Sequence, residues 1–243
     1  MKENLVVNNG KAALVEVEGK TYQRLAIKTH VVTKDDDLKE VINTYAAPNL
    51  KNGDVLFISE KMVACTQSRA IPIKEIKASW LAKLLSKFVV KTPHGIGLGM
   101  PETMEMALRE CGVLKILFAS FCGMIGKVLG KRGWFYNVAG DKARSIDGPC
   151  PNTLPPYNQY VVLGPQDPEK VALELSEMLK GIPVLIVDIN DLGGNILSSS
   201  LGHETDKYYL KFLSDNPLGQ SKEQTPMGII REVNVEDSKN IND

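Results

Sequence analysis

Short apolar runs alternate with amphipathic stretches along the chain, and the runs predict the strands. Residues 55–58 and 182–188 are rich in Val, Ile and Leu and are bounded by polar or turn residues, as buried strands are. The segment from 5 to 32 predicts one or two strands with a turn at Gly19-Lys20. In the first and last parts of the chain, the predicted strands lie within residues 5–32, 55–58, 182–188 and 227–230.

Two further stretches lie in the middle of the chain. The apolar residues 113–129 predict a core strand followed by a buried segment that contains glycine. Residues 130–141 predict a strand that runs into a loop. We expect residues 60–66 either to continue the strand at 55–58 or to open the next element.

Apolar residues spaced by three or four positions predict the helices. The aspartates at 35–37 are candidate N-caps for a helix at 38–45, and Pro101 suits the first turn of a helix that ends near Cys111-Gly112. In the segment 80–89, the residues in phase on one face are Trp80, Leu81, Leu84, Leu85 and Phe88. The predicted helices are 38–45, 80–89, 101–111, 168–179 and 207–213.

The order of these elements indicates the fold class. Strands and helices are mixed without a regular βαβ alternation, so we predict an α/β protein of the mixed α+β kind rather than a doubly wound sheet. Residues 93–99 are expected to be a Gly-rich connector, and 149–156 an irregular Pro-rich loop. We predict one domain over residues 1–243, which could divide into two subdomains, and a polar tail at 233–243.

Charge and cysteine content restrict the classes of partner. The chain has 29 basic and 29 acidic residues with the signs interspersed, which argues against a nucleic-acid or anionic-membrane partner. The apolar stretch 113–129 contains Lys115 and Lys127 and is too short to span a bilayer. The four cysteines form no Cys-x-x-Cys pair, and no signal peptide is apparent. We therefore expect a cytoplasmic protein with reduced thiols.

The predicted strand at 182–188 ends in a cluster of oxygen-bearing side chains. Asp188 is its last residue, Asn190 and Asp191 follow, and Gly193-Gly194 come next. Carboxylate and amide oxygens are the ligands that Mg²⁺ prefers, usually together with substrate phosphates. Asp141 also follows a predicted strand, so the two strand ends could converge on one metal ion. The alternative is two unrelated turns rich in Asp and Asn.

Basic side chains elsewhere could neutralise phosphate charge. No Gly-x-x-x-x-Gly-Lys-Ser/Thr motif is present, which excludes a P-loop. Lys61 and Arg69 lie after the strand at 55–58 and could contact phosphate, although charges at such positions are often only solvated. The loop 219–226 could cap a metal or a ribose, or could be a surface hairpin. Cys65 has no histidine near it in sequence to form a thiolate, so we expect no protein nucleophile.

Taken in chain order, these motifs resemble the coenzyme F420-0:gamma-glutamyl ligase family, over residues 25–231. The resemblance implies a mixed α/β fold with mixed, partly antiparallel sheets. The motifs that carry it are Asp35-Asp36-Asp37-Leu38, Gly53-Asp54-Val55-Leu56 through Lys61 and Arg69, Asn137-Val138-Ala139-Gly140-Asp141, Asp188-Ile189-Asn190-Asp191-Leu192-Gly193, and Pro217-Leu218-Gly219-Gln220 leading to Pro226 and Arg231.

The resemblance implies an activity with its cofactors and partners. Similar proteins use GTP, with ATP as the alternative, together with Mg²⁺ or Mn²⁺ and a monovalent cation such as K⁺. They join L-glutamate to a small carboxylate acceptor through an amide bond, and an acyl phosphate is the expected intermediate. They form intertwined homodimers. No nucleic-acid or membrane partner is implied.

The resemblance also implies roles for individual residues. The implied metal ligands are Asp141, Asp188, Asn190, Asp191 and Gln220. The implied catalytic residues are Asp141, Asp191 and Lys61, and the implied nucleotide contacts are Thr29, His30, Val31, Val32, Glu60, Lys61, Arg69, Arg144 and Gln220.

Three departures from the family pattern concern the site: the first removes a lysine expected to bind phosphate, and together they bear on the acceptor pocket. The family's Ser-Lys is Ala64-Cys65 here, its Gly-Arg-Pro-Trp is residues 193–196 (Gly-Gly-Asn-Ile), and its Arg-Ser-Asn is residues 142–144 (Lys-Ala-Arg). Lys61 could replace the missing lysine. Three hypotheses follow: a ligase for the deazaflavin precursor, the same chemistry on another acceptor such as a folate, and a non-catalytic nucleotide- or metabolite-binding homologue.

Overall fold

The computed structural model describes residues 4–89, 97–131 and 133–234. In these residues the strands are β1 (Leu5–Val6), β2 (Leu14–Val17), β3 (Lys20–Ile27), β4 (Val55–Ser59), β5 (Ala70–Pro72), β6 (Tyr160–Val162), β7 (Val184–Asn190), β8 (Gly193–Ser199) and β9 (Met227–Val233). The α-helices are α1 (Leu38–Tyr45), α2 (Glu60–Thr66), α3 (Trp80–Leu85), α4 (Pro101–Cys111), α5 (Val113–Val128), α6 (Trp134–Ala139), α7 (Asp141–Arg144), α8 (Pro168–Met178) and α9 (Asp206–Leu210).

Contacts divide the chain into two units. The first consists of Met1–Gln67 and Pro165–Asp243, and the second is the continuous segment Ser68–Gly164. The side chain of Gln67 joins the two chain segments of the first unit. Its Nε2 donates to the carbonyl of Gln166 at 3.0 Å, and its Oε1 accepts from the Gln166 amide at 2.7 Å.

A mixed seven-stranded sheet forms the first unit. The strand order is β1-β3-β9-β4-β7-β8, with β2 also paired to β3. The β4–β7 pair is parallel, and the other pairs of this sheet are antiparallel. The sequence prediction of a mixed α/β fold with partly antiparallel sheets is therefore confirmed.

The central strands are buried on both faces, which explains why they have continuous apolar sequences. Leu56 and Ile58 of β4 face one core, which also contains residues from α1, α2 and α8. Phe57 faces the other core, where it packs with Val187 and Phe212. Strand β4 therefore lies in the interior of the sheet, between β9 and β7, and is covered on both faces.

Local signals predicted several boundaries of the first unit. Helix α1 begins after Asp37, whose carboxylate accepts from the amides of Lys39 and Glu40 at 2.8 and 3.0 Å. Residues 60–66 open a new element, because α2 starts directly after Ser59, whose hydroxyl accepts from the Lys61 amide. The predicted strands at 55–58 and 227–230 and the helix at 168–179 are also present.

The second unit is mainly helical. Helices α3 to α7 surround a core that includes Met104, Ile116, Ala119 and Ile146. The short antiparallel pair β5–β6 completes this unit, with Ile71 paired to Val161. The core therefore derives from helix faces rather than from a large sheet.

The two strands expected within residues 113–141 are wrong. Residues 113–128 form α5, and the segment after it contains α6 and α7. A continuous apolar run does not distinguish a buried strand from a helix, and the length of this run favoured the helix. Gly130 has φ of +69°, and the Lys131 amide donates to the carbonyl of Gly126, which together form a Schellman-type end for α5.

The segment 80–89 also differs from its prediction. Helix α3 ends at Leu85, and a 3₁₀ turn continues from Ser86 to Phe88. Trp80 and Phe88, predicted on the core face, are 76 % and 70 % exposed. In the predicted connector 93–99, residues 93–96 lie outside the described residues and Gly97–Gly99 form a 3₁₀ turn. Most of the predicted polar tail, 235–243, also lies outside them.

Taken individually, the described helices differ from membrane spans in length or composition. Among the described residues, no individual helix has both the length and the apolar composition needed to cross a bilayer. The pair α4 and α5 meets the length and composition criteria when taken together, but the two helices are bent by 119° at their junction.

Candidate active site at one end of the main sheet

Three strands of the first unit end at the same end of the sheet. Strands β3 and β4 both run antiparallel to β9, and Ile27 and Ile58 are both register partners of Met227. Strand β7 runs parallel to β4, with Ser59 opposite Val187. The carboxyl ends of β3, β4 and β7 therefore lie at one end of the sheet, with the start of β9 between β3 and β4. In open α/β sheets ligands bind beyond the carboxyl ends of the strands.

The residues that follow these ends include many of the sequence-predicted site residues. Beyond β3 come Thr29, His30, Val31 and Val32, beyond β4 come Glu60 and Lys61, and at the end of β7 are Asp188, Asn190 and Asp191. Gln220 lies in the loop that leads into β9. The topology therefore brings four separate parts of the sequence to one end of one sheet.

The turn between β7 and β8 is held by its own side chains. Asn190 Oδ1 accepts from the amide of Leu192 at 2.9 Å, and the Asp191 amide donates to Gln220 Oε1 at 3.0 Å. The Asp191 carboxylate receives the Lys11 ammonium at 2.7 Å. Its charge is thus already partly compensated in this structure. Asp188 is exposed at the strand end, opposite Asn195 of β8.

Buried Asn216 organises the loop that contains Gln220. Its amide group donates to the Gly219 carbonyl at 2.8 Å and to Gln220 Oε1 at 3.1 Å. Thr225 closes the loop by donating to the Leu218 carbonyl at 2.7 Å, and it accepts from Asn8 at 2.9 Å. These contacts hold Gln220 beside the β7–β8 turn.

The segment after β3 is attached both to the sheet and to α1. The Thr29 amide donates to the Gln224 carbonyl at 3.0 Å. The His30 ring lies 2.8 Å from the Asp36 carboxylate and 3.0 Å from the Tyr45 hydroxyl. Val32 is buried in the core on this side of the sheet. The polar groups of this segment are its backbone, the His30 ring and the Thr29 hydroxyl, which donates to the His30 carbonyl at 2.7 Å.

A buried carboxylate lies at the start of α2. The Glu60 side chain is almost completely buried, and the Lys61 ammonium contacts it at 2.6 Å. Lys61 itself is partly exposed. Lys61 therefore places its ammonium near the surface at the end of β4, while the Glu60 carboxylate stays in the interior.

Three other predicted site residues belong to the second unit. Asp141 begins α7 and is 96 % exposed, and Arg144 ends that helix, with its guanidinium 3.9 Å from the Asp141 carboxylate. The expectation that Asp141 follows a strand is therefore wrong. The acidic residue in an extended pairing here is Asp147, bridged to Val162. Arg69 forms an ion pair with Glu110 at 2.6 Å.

The divalent cation that the resemblance implies needs oxygen ligands from the protein. Within residues 4–89, 97–131 and 133–234, no three His, Cys, Asp or Glu side chains form a group that could hold a metal. Mg²⁺ is commonly held by one or two carboxylates with substrate phosphates and waters, so a full protein cage is not required. Asp188 and Asn190 are two positions apart on β7 and supply oxygen ligands on one strand face, which fits this pattern.

Sequence reasoning missed Lys11 and Asn216. Both contact the Asp191 carboxylate, at 2.7 and 3.4 Å, but they come from distant parts of the chain. Lys11 also donates to the Asp215 carbonyl at 2.7 Å. Local spacing carried no signal for either residue, because their positions depend on the pairing of β3 with β9 and on the late loop.

Asp215, whose carbonyl accepts from Lys11, also forms an ion pair with Arg24 through its side chain. The fully buried Arg24 guanidinium contacts both oxygens of the Asp215 carboxylate and donates to the carbonyls of Phe212 and Ala12 at 2.8 and 2.6 Å. Hydrogen bonding from Arg24 lowers the pKa of Asp215 below its ordinary value. The carboxylate form is therefore the one that the fold stabilises.

This shift predicts a pH dependence of stability. Because the pKa of Asp215 is lower in the folded chain, its contribution is complete above the unfolded pKa of about 3.9 and is lost as pH falls below that value. Urea unfolding of the wild type and of Asp215→Asn should differ most near pH 7, and the difference should shrink below about pH 4. Asp35→Asn, at an exposed position, is the control. A constant difference across this range would contradict the assignment.

The fold and the site define a mixed α/β protein with polar and charged groups gathered beyond the carboxyl ends of its central strands. The family model described as F420-0:Gamma-glutamyl ligase matches residues 26–197, which is more than half of the chain. The chain therefore belongs to the F420-0:gamma-glutamyl ligase family, a family of ligases. A search of curated proteins returned no match.

Proposed function

We propose that the chain is a nucleotide- and metal-dependent ligase that adds L-glutamate to a carboxylate acceptor through an acyl phosphate. The family match indicates gamma-glutamyl ligase activity in F420 biosynthesis. The observation that carries the finer proposal is the gathering of Thr29–Val32, Glu60-Lys61, Asp188–Asp191 and Gln220 at one end of the sheet. A homodimeric state and a cytoplasmic location belong to the same proposal.

The reaction requires activation of a carboxylate. In the first step the acceptor carboxylate oxygen attacks the terminal phosphorus of GTP or ATP, and the nucleoside diphosphate leaves. In the second step the glutamate amine attacks the acyl carbon, the C–O bond to phosphate breaks, and the amine loses a proton to solvent. Charge neutralisation and positioning supply most of the catalysis in phosphoryl transfer. The proposal assigns part of this neutralisation to Lys61.

Asp188 and Asn190 are proposed to hold Mg²⁺ or Mn²⁺, with Gln220 close to the same turn. A bound divalent cation would offset phosphate charge, with K⁺ as a possible additional ion. Asp191 is proposed as a further ligand at the same turn, where the Lys11 ammonium lies 2.7 Å from its carboxylate. Asp141, Arg144 and Arg69 belong to the second unit, and the roles that the resemblance implies for them stay proposals.

A second candidate is the same chemistry on another carboxylate acceptor, such as a folate. The observation that favours it lies in α2, where Ala64 and Cys65 replace the Ser-Lys of the family and are both buried. They present no cation at the surface. The residues in place of the family's Gly-Arg-Pro-Trp, 193–196, begin β8 directly after the two-residue turn Asp191-Leu192. A changed acceptor would account for both differences.

Product formation tests this function. The purified chain is incubated with GTP or ATP, Mn²⁺, K⁺, L-glutamate and either the deazaflavin precursor or a folate. Mass spectrometry should detect the glutamylated acceptor together with the nucleoside diphosphate. The Asp188→Asn change should lower the rate by about tenfold or more, because it removes a charged metal ligand.

The exposed Glu16→Gln change is the matched control, since Glu16 lies on β2 toward the opposite end of β3. Its rate should equal that of the wild type. A thermal-shift experiment covers the non-catalytic alternative: saturating nucleotide at about 100 times its Kd should stabilise the chain by about 2.7 kcal/mol. Absence of both turnover and nucleotide-dependent stabilisation would reject the ligase proposal.

A further inference from the structure

The charges of the chain are divided unequally between its two units. The segment 68–164 contains 13 Lys and Arg residues against 6 Asp and Glu residues, a formal charge of +7. The remainder has 16 basic and 23 acidic residues, a formal charge of −7. The neutral total therefore conceals a strongly basic second unit.

Helix α5 of this unit presents an apolar face to solvent. Leu114 and Val128, near its two ends, are each 83 % exposed. At 100° per residue, the exposed apolar side chains occupy an arc of about 160°. They are Val113, Leu114, Leu117, Phe118, Phe121, Met124, Ile125, Val128 and the adjoining Leu129. Single exposed apolar residues are ordinary, but a continuous helix face of this size marks an interaction surface.

Small residues hold the opposite side of α5 against the unit. A Cβ at Gly123 would lie 3.1 Å from the side chain of Phe135, and one at Gly126 would lie 3.0 Å from the ring of Trp134. Ile116 and Ala119 are fully buried on the same side. The inward side of α5 is therefore packed closely against the unit through small residues. The larger apolar side chains lie on the opposite side, which faces solvent.

Basic residues flank the apolar face, and acidic ones are absent from this stretch. Between Glu110 and Asp141 the sequence contains four basic residues and no Asp or Glu. On the helical wheel, the exposed Lys115 and Lys127 lie on either side of the apolar arc. Lys131 follows, with its ammonium 5.9 Å from the centre of the Trp134 ring.

Helix α3 and the 3₁₀ turn that continues it repeat this composition on a smaller scale. Trp80, Leu84 and Phe88 recur every four residues and are exposed. Lys83 and Lys87, between them in sequence, are exposed as well. Two helices of the basic unit thus combine exposed aromatic and aliphatic side chains with lysines.

We propose that the second unit binds an anionic lipid bilayer through the outward face of α5. The helix is about 24 Å long and would lie in the plane of the interface, with its apolar residues among the acyl chains and Lys115 and Lys127 at the headgroups. A second copy of the chain fits less well, because a two-fold contact would bring lysine-flanked faces together without acidic partners. The expectation of no membrane partner rested on the zero net charge with interspersed signs and on the shortness of the apolar stretch 113–129. The neutral total conceals this basic surface, and a helix lying in the interface does not need to span the bilayer.

Vesicle co-sedimentation of the full chain tests the proposal. Vesicles of phosphatidylcholine with about one third phosphatidylglycerol should bind the chain at low ionic strength, whereas pure phosphatidylcholine vesicles should bind it at least tenfold more weakly. Each basic residue near an anionic surface contributes about fivefold to affinity. The triple change Lys115→Gln, Lys127→Gln, Lys131→Gln should therefore lower binding by about a hundredfold, and 1 M salt should act in the same direction.

A second variant, Leu114→Ser with Phe118→Ser and Phe121→Ser, removes exposed apolar residues and should also abolish binding. Leu173→Ser with Lys34→Gln, at exposed positions of the first unit, should retain wild-type binding. Circular dichroism and light scattering accompany each variant. Equal binding to both kinds of vesicle, undiminished binding of either surface variant, or a dimer that the serine variant dissociates without any vesicle binding would overturn the proposal.

Discussion

Replacing Arg231 with methionine should lower the free energy of unfolding by about 3–5 kcal/mol. Its guanidinium contacts both oxygens of the Asp54 carboxylate, at 2.8 and 2.6 Å, and donates to the Asn49 carbonyl at 2.8 Å. Asp54 is almost completely buried. Without Arg231 its negative charge would remain in the interior without its counter-ion, and that desolvation cost accounts for most of the expected loss.

Urea denaturation measures this effect as a lower midpoint with an unchanged slope. The double change Asp54→Asn with Arg231→Met should recover part of the loss, since no buried charge remains and the Asn oxygen can still accept from the Lys51 amide. Lys211→Met, which removes an exposed pair with Glu18, should leave the midpoint close to that of the wild type. A double variant as unstable as Arg231→Met would contradict the explanation.

Gly228→Ala should destabilise the chain by about 3 kcal/mol, at the upper end of the usual range for overpacking. Gly228 lies in β9 between Ala26 of β3 and Phe57 of β4. A Cβ there would lie 2.4 Å from the Phe57 ring and 2.9 Å from the Leu25 carbonyl oxygen. The ring is fully buried and the carbonyl belongs to the sheet, so neither has room to move away.

The Phe57→Leu change provides the test, because it removes the ring that the new methyl group would strike. Thermal or urea unfolding should show that the double variant Gly228→Ala with Phe57→Leu loses less stability than the sum of the two single changes. Contacting residues couple in this way, whereas independent sites are additive. Strict additivity would show that the ring is not the source of the cost.

The main sheet was predictable where side-chain pattern and local signals agreed. The run at 55–58 is apolar on both faces because β4 is covered on both, and Asp37 caps the helix that its sequence position predicts. The end of β7 was likewise recognisable, since an apolar run gives way to Asp188 and Asn190. These features depend on neighbouring residues, so a sequence displays them directly.

The second unit was harder to predict because its apolar pattern is atypical. In an ordinary surface helix the apolar stripe faces the core and the polar residues face water. In α5 the inward side carries Ala119, Gly123 and Gly126, while Phe118 and Phe121 are exposed. That reversal made the segment look like a buried strand. The same reversal is the basis of the proposed membrane surface.

The candidate site was only partly predictable for a different reason. Asp188, Asn190 and Lys61 could be selected because each follows a recognisable strand. Lys11 reaches Asp191 across 180 residues of sequence, through pairings that no local pattern specifies. Asp141 was misplaced together with the strand that was expected to precede it.

The paired contact between Gln67 and Gln166 has a consequence for how this architecture could arise. The 97 residues of Ser68–Gly164 depart from and return to two chain positions that are hydrogen-bonded to each other. Such a segment is, in effect, an insertion within a loop of the first unit. It could be acquired, exchanged or remodelled between relatives without altering a single pairing in the main sheet, so the two units are free to diverge at different rates.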